Sequence, residues 1–174
     1  MEKIYLIGFM ASGKTTVGKI LSKKLGWKFI DIDEEIERKT QKTISEIFST
    51  FGEDYFRKLE VEMLSNFKDL DKLVISVGGG LPVFYNNMEI MKSTGFTVYL
   101  EVDENIIFER LKNNEEYSKR PLASSINLDY LRNLLNIRIP IYVKSHKTIK
   151  CDQKKPEEIA LEIIEEYKKW KLYH

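Results

Sequence analysis

The chain has 174 residues, 43% of them hydrophobic and 32% charged, with a formal net charge of +1. That length suits one domain, 1–174, with a real hydrophobic core, and the composition is that of an ordinary globular protein. The near-neutral charge leaves no electrostatic case for nucleic acid or a membrane surface, and the single cysteine, Cys151, excludes an intramolecular disulfide and fits a reducing cytoplasm.

In chain order, Lys3-Ile4-Tyr5-Leu6-Ile7 reads as a short buried strand. Starting so early, it leaves no room for a signal peptide, and no later run approaches a transmembrane helix. A cytoplasmic monomer is the expectation. Gly8-Phe9-Met10-Ala11-Ser12-Gly13-Lys14-Thr15-Thr16 follows as G-x-x-x-x-G-K-T, a phosphate-binding loop set between a strand and a helix. Gly8 and Gly13 lack Cβ and permit a tight curl, which aims the backbone N–H groups of Gly8, Ala11, Ser12, Gly13 and Thr16 at a triphosphate. The opening helix adds unpaired N–H groups and its positive dipole end. Lys14 places a charge near the β- and γ-phosphates, and Thr15 offers a hydroxyl to Mg²⁺.

Val17, Ile20, Leu21 and Leu25 keep helical spacing, and Gly26 is the expected stop. Trp27 to Ile32 reads as a second strand ending in Asp31-Ile32-Asp33. A period of two puts both aspartates on one side of the strand end, the rim where open α/β sheets bind ligands. Helix N-capping by Asp33 is the alternative. Thr43-Ile44-Ser45-Glu46 is a capping box opening a short helix. Phe51-Gly52-Glu53-Asp54-Tyr55-Phe56-Arg57 opens another, reaching Phe67. Within these helices Phe48 and Phe56 could be plain core and Arg57 a solvated helix residue.

Lys72 to Val77 is a buried strand running into Gly78-Gly79-Gly80, where something can approach the backbone closely. Ser76 stands where a phosphate-loop protein often has a metal-linked Asp, so Asp31 is the expected metal partner of Thr15. Asn86 to Ser93 is a helix, Phe96 to Val102 a strand, and Asp103 caps a helix through Leu111. Lys112 to Leu122 is polar and aperiodic, a mobile lid over about 112–125, with Arg120 placed to reach the phosphates on closure. Asn127 to Lys147 is helical, interrupted at Pro140. Thr148 to Cys151 is the last strand, and Pro156 starts the final helix.

Five strands alternating with helices imply an α/β, three-layer fold of the phosphate-loop NTPase type, similar to nucleoside-monophosphate kinases, with a parallel sheet. The substrate side is expected at about 32–62. The chain carries 22 lysines and 6 arginines, so an arginine in a cleft is expected to have a geometric task that only a planar fork performs. Arg57 and Arg138 would suit a carboxylate, and Asp33 hydroxyls. These residues point to a small-molecule kinase with an anionic acceptor.

The chain resembles the shikimate kinase family in order and nearly end to end. The matching segments are the phosphate loop, Phe29-Ile30-Asp31-Ile32-Asp33, Gly52-Glu53-Asp54-Tyr55-Phe56-Arg57-Lys58-Leu59-Glu60, Val74-Ile75-Ser76-Val77-Gly78-Gly79-Gly80, Arg120-Pro121-Leu122 and Arg138-Ile139-Pro140-Ile141-Tyr142. The resemblance implies ATP-dependent phosphorylation of shikimate to shikimate 3-phosphate, in aromatic amino-acid biosynthesis, with Mg²⁺. It implies that Asp31 serves the metal shell and that Asp33 sits by the attacking hydroxyl. Arg57 and Arg138 would bind the carboxylate, Phe48, Phe56 and Gly78 to Gly80 would contact shikimate, and Arg110, Lys155 and Pro156 would lie near the adenine. Lys14, Asp33 and Arg120 would carry the chemistry. A gluconate or nucleotide kinase on the same fold is the rival, and a silent nucleotide-binding module a second.

Overall fold

In the computed structural model, residues 2–113 and 127–173 are described. β1 (Lys3–Ile7), β2 (Lys28–Asp31), β3 (Leu73–Ser76), β4 (Phe96–Glu101) and β5 (Lys147–Lys150) form one parallel sheet in the order β2-β3-β1-β4-β5. The described helices are α1 (Lys14–Leu25), α2 (Ile32–Thr40), α3 (Ile44–Phe51), α4 (Glu53–Asn66), α5 (Asn87–Thr94), α6 (Glu104–Lys112), α7 (Leu128–Tyr142) and α8 (Pro156–Lys171).

Parallel strands are covered on both faces, and the central strand β1 feeds two cores. Along β1, Ile4 and Leu6 join Val17 and Leu21 of α1, Leu131 and Leu135 of α7 and Ile159 and Ile163 of α8. Tyr5 and Ile7 join Ile32 and Ile36 of α2, Ile47 of α3, Leu59 of α4 and Met91 of α5. β1 is the middle strand. The chain runs from it to β2 and β3 on one side, then crosses to β4 and β5 on the other. That reversal opens a crevice at the carboxyl end of β1, where the phosphate loop begins.

The elements follow the sequence patterns, with two corrections. β2 ends at Asp31, and Ile32 already belongs to α2. Three helices therefore link β2 to β3, where the pattern suggested two. The cause is Asp31, whose Oδ1 accepts from the Asp33 N–H at 3.1 Å and so caps α2. Asp33, Glu34 and Glu35 in the first turn favour the dipole. The cap is thus Asp31 rather than Asp33, and Asp33 is a helical residue. The second correction is α7, which ends two residues beyond Pro140 instead of continuing to Lys147. No described helix is long and apolar enough to cross a membrane.

Candidate active site

The phosphate loop curls through left-handed backbone at Ala11 (φ 61°) and Gly13 (φ 94°), a shape that turns successive N–H groups to one side. Lys14 is buried, and its Nζ donates to the carbonyls of Gly8 and Phe9 at 2.9 and 2.8 Å. The Ser12 hydroxyl is buried with no hydrogen-bond partner among the described residues. Buried polar groups are rarely left so, and a phosphate oxygen would satisfy it.

Thr15 Oγ1 donates to Asp31 Oδ2 at 2.9 Å, so α1 and the end of β2 put two hard oxygen ligands side by side. That donor set fits Mg²⁺, which takes one or two protein oxygens and completes its shell with phosphate and water. No described cluster of three or more His, Cys, Asp or Glu could hold a metal by itself.

A cavity of about 270 Å³ opens from Lys14, Thr15 and Asp31 to Asp33, Phe48, Phe56, Arg57, Glu60, Gly78, Gly79, Gly80 and Arg138. Arg57 on α4 is 5% exposed and bound on two edges. Its Nη1 donates to Glu60 Oε2 at 2.6 Å, and its Nε and Nη2 both donate to Glu53 Oε1, at 3.1 and 2.8 Å. The Phe84 ring lies 4.3 Å from its guanidinium carbon and the Phe56 ring 5.3 Å, within cation–π range. Phe56 in turn packs on Phe48 with centroids 4.8 Å apart.

The three glycines after β3 are explained by what a side chain there would strike. A Cβ on Gly78 would lie 2.9 Å from both Asp33 Oδ1 and Glu60 Oε1, and one on Gly80 would lie 2.3 to 2.6 Å from the Arg57 guanidinium. At Gly79 it would meet Arg138 Nη1 at 3.2 Å and the Tyr142 hydroxyl at 3.3 Å. The acid, the two arginines and the glycine backbone therefore share one wall. Burial pushes the Glu60 carboxyl up to about 7 despite its pairing with Arg57, and nearby Asp33 adds to the rise. Burial also raises Tyr142, to about 12, so its hydroxyl stays protonated and donates to the Gly79 carbonyl at 2.5 Å. Arg138 is buried with its guanidinium 5.2 Å from the Phe9 ring centre.

A second cavity of about 360 Å³ lies on the other side of the phosphate loop, lined by Ala11, Ser12, Gly13, Thr16, Arg110, Asn113, Cys151, Lys154 and Pro156. Arg110 Nη1 donates to the Ala11 carbonyl at 3.0 Å.

A family profile described as shikimate kinase matches residues 10–168. The chain belongs to the shikimate kinase family. A shikimate kinase of Clostridium botulinum strain Langeland is 44% identical over 171 residues, covering 98% of this chain and 99% of that one. The crystal structure of shikimate kinase from Bacteroides thetaiotaomicron superposes with a TM-score of 0.86 at 36% identity, covering 94% of this chain and 97% of that one. The Acinetobacter baumannii enzyme, solved in complex with shikimate, gives 0.87 at 38% identity, covering 95% and 92%. The protein is accordingly a phosphotransferase of the shikimate pathway.

Of the residues singled out in the sequence, the main cavity unites Lys14, Thr15, Asp31, Asp33, Phe48, Phe56, Arg57, the three glycines and Arg138. Arg110 and Pro156 fall on the second cavity, where Lys154 rather than Lys155 forms the wall. Lys155 is exposed and caps α8, its N–H donating to Glu158 Oε2 at 2.6 Å. Arg120 and most of the expected lid lie outside the described residues. Glu53, Glu60, Phe84 and Tyr142 were not singled out. Glu53 and Glu60 were within reach, being four residues before and three after Arg57 on one helix. Tyr142 closes a quoted motif, and Phe84 carries no signal.

Proposed function

We propose that this enzyme transfers the γ-phosphoryl group of ATP to the 3-hydroxyl of shikimate across the main cavity. The observation that carries this is the meeting of a phosphate-loop lysine, an acid and two buried arginines in one cavity. The triphosphate lies along residues 8–16, with the base in the second cavity against Arg110 and Pro156. Arg57 and Arg138 take the substrate carboxylate, because a planar fork matches a carboxylate with two hydrogen bonds. That contact anchors the ring with its hydroxyls towards Asp33, and Phe48 and Phe56 bound the apolar side. Thr15 and Asp31 would hold Mg²⁺, which would supply positive charge against the phosphates.

The chain's own groups then do three things. Lys14 moves from the Gly8 and Phe9 carbonyls to the γ-phosphoryl oxygens and stabilises the charge that develops there. Asp33 orients the attacking hydroxyl and accepts its proton. Arg120 adds its charge to the phosphates. We place the enzyme in the cytoplasm, as a monomer.

Coupled ADP release with a panel of acceptors, and NMR of the product, tests this reading. Turnover on shikimate with phosphate at the 3-position is expected. Turnover on gluconate or a nucleoside monophosphate with none on shikimate would overturn it.

A further inference from the structure

Glu53 holds the same guanidinium edge that a substrate carboxylate would use. Its Oε1 accepts from both Nε and Nη2 of Arg57, while Glu60 holds Nη1. The Nη1/Nη2 end of the guanidinium faces Gly80, whose added Cβ would lie 2.3 to 2.6 Å from Nη1, Nη2 and the central carbon. Two of the three flanks of Arg57 are thus closed by buried structure. The two carboxylates on it are unequal. The Glu60 side chain is 1% exposed, whereas that of Glu53 is 52% exposed, stands in the first turn of α4 and lines the main cavity. Glu60 is a fixed partner and Glu53 an exchangeable one.

We infer that Glu53 is a resident competitor for the substrate carboxylate: it occupies the Nε/Nη2 edge of Arg57 in the empty enzyme and must swing into solvent for substrate to bind. This rests on the proposed assignment of Arg57 to the substrate carboxylate. A half-exposed ion pair is weak, so the exchange is easy. It still satisfies the Nε/Nη2 edge before substrate arrives, and it sets a threshold that a neutral acceptor, unable to replace the anion, does not cross.

The test compares E53Q and E53D with wild type, alongside R57A. E53Q removes the charge. E53D keeps a carboxylate at the helix start but is one methylene too short to hold Arg57. Both should lower KM for shikimate about two- to five-fold, the size of a surface pair, with the change in KM and not in kcat. A KM that rises or stays level in E53Q overturns the inference, since Glu53 would then support Arg57 or be idle. A fall in E53Q with none in E53D also overturns it, because the bulk field and not the contact would be responsible. If instead R57A leaves KM unchanged, it is the carboxylate assignment that fails, and the inference falls with it.

Discussion

Arg57 Nη1 donates to Glu60 Oε2 at 2.6 Å in a wall where both side chains are buried. The pair is not symmetric in its effect. Burial raises the Glu60 carboxyl from its ordinary 4.5 to about 7, although Arg57 pulls it down. A folded-state value above the unfolded one means that protonation favours the native state. This stabilisation is complete below about pH 4.5 and is lost as pH rises through about 7. It amounts to at most about 3 kcal/mol. The thermal midpoint of E60Q should therefore vary less than that of wild type between pH 5 and 8. An equal pH slope in the two proteins, read by calorimetry, contradicts the raised carboxyl.

Truncating either carboxylate-binding arginine should act on binding. R57A and R138A are expected to weaken shikimate binding by about 2–5 kcal/mol, as loss of one partner from a buried charge pair does. Titration calorimetry with shikimate reads this directly. Unchanged affinity in both variants would remove the carboxylate assignment.

Lys14 sits on the other half of the site, so K14A should separate the two. Its kcat should fall at least about a hundred-fold, while shikimate binding is largely kept. A variant that turns over normally would show that the buried lysine plays no part in the chemistry.

The glycine run gives a graded test. At Gly80 a Cβ would lie 2.3 to 2.6 Å from the Arg57 guanidinium, whereas at Gly79 the nearest atoms are at 3.2 to 3.4 Å. G80A should thus displace Arg57 and raise KM for shikimate about tenfold or more, with G79A milder. The reverse order in steady-state kinetics would mean that Gly80 does not seat the arginine.

Much of this was legible in the sequence because it is local. The phosphate loop, the five strands of the sheet and the Thr43 capping box are short patterns, each decided by a few neighbouring residues. Asp31 and Asp33 read as a pair in the sequence, but the turn between them does not. A side-chain cap at Asp31 starts α2 one residue later, which strand periodicity cannot register. The grip on Arg57 was less visible still. Glu53 and Glu60 stand at helical spacing from it, as many surface pairs do. Only the meeting of α4 with Gly78 to Gly80 and Phe84 makes one carboxylate buried and the other exposed. Tyr142 belongs to the same class, since its acceptor is the carbonyl of Gly79, 63 residues away.

The most direct measurement is the comparison of shikimate with its methyl ester as phosphate acceptors in a coupled ADP-release assay. The ester keeps the ring and hydroxyls and loses only the anion that Arg57 and Arg138 are placed to bind. Its KM should be at least about thirty-fold higher than that of shikimate, corresponding to the lower end of 2–5 kcal/mol. Equal KM values for acid and ester would contradict a carboxylate fork at the centre of this site.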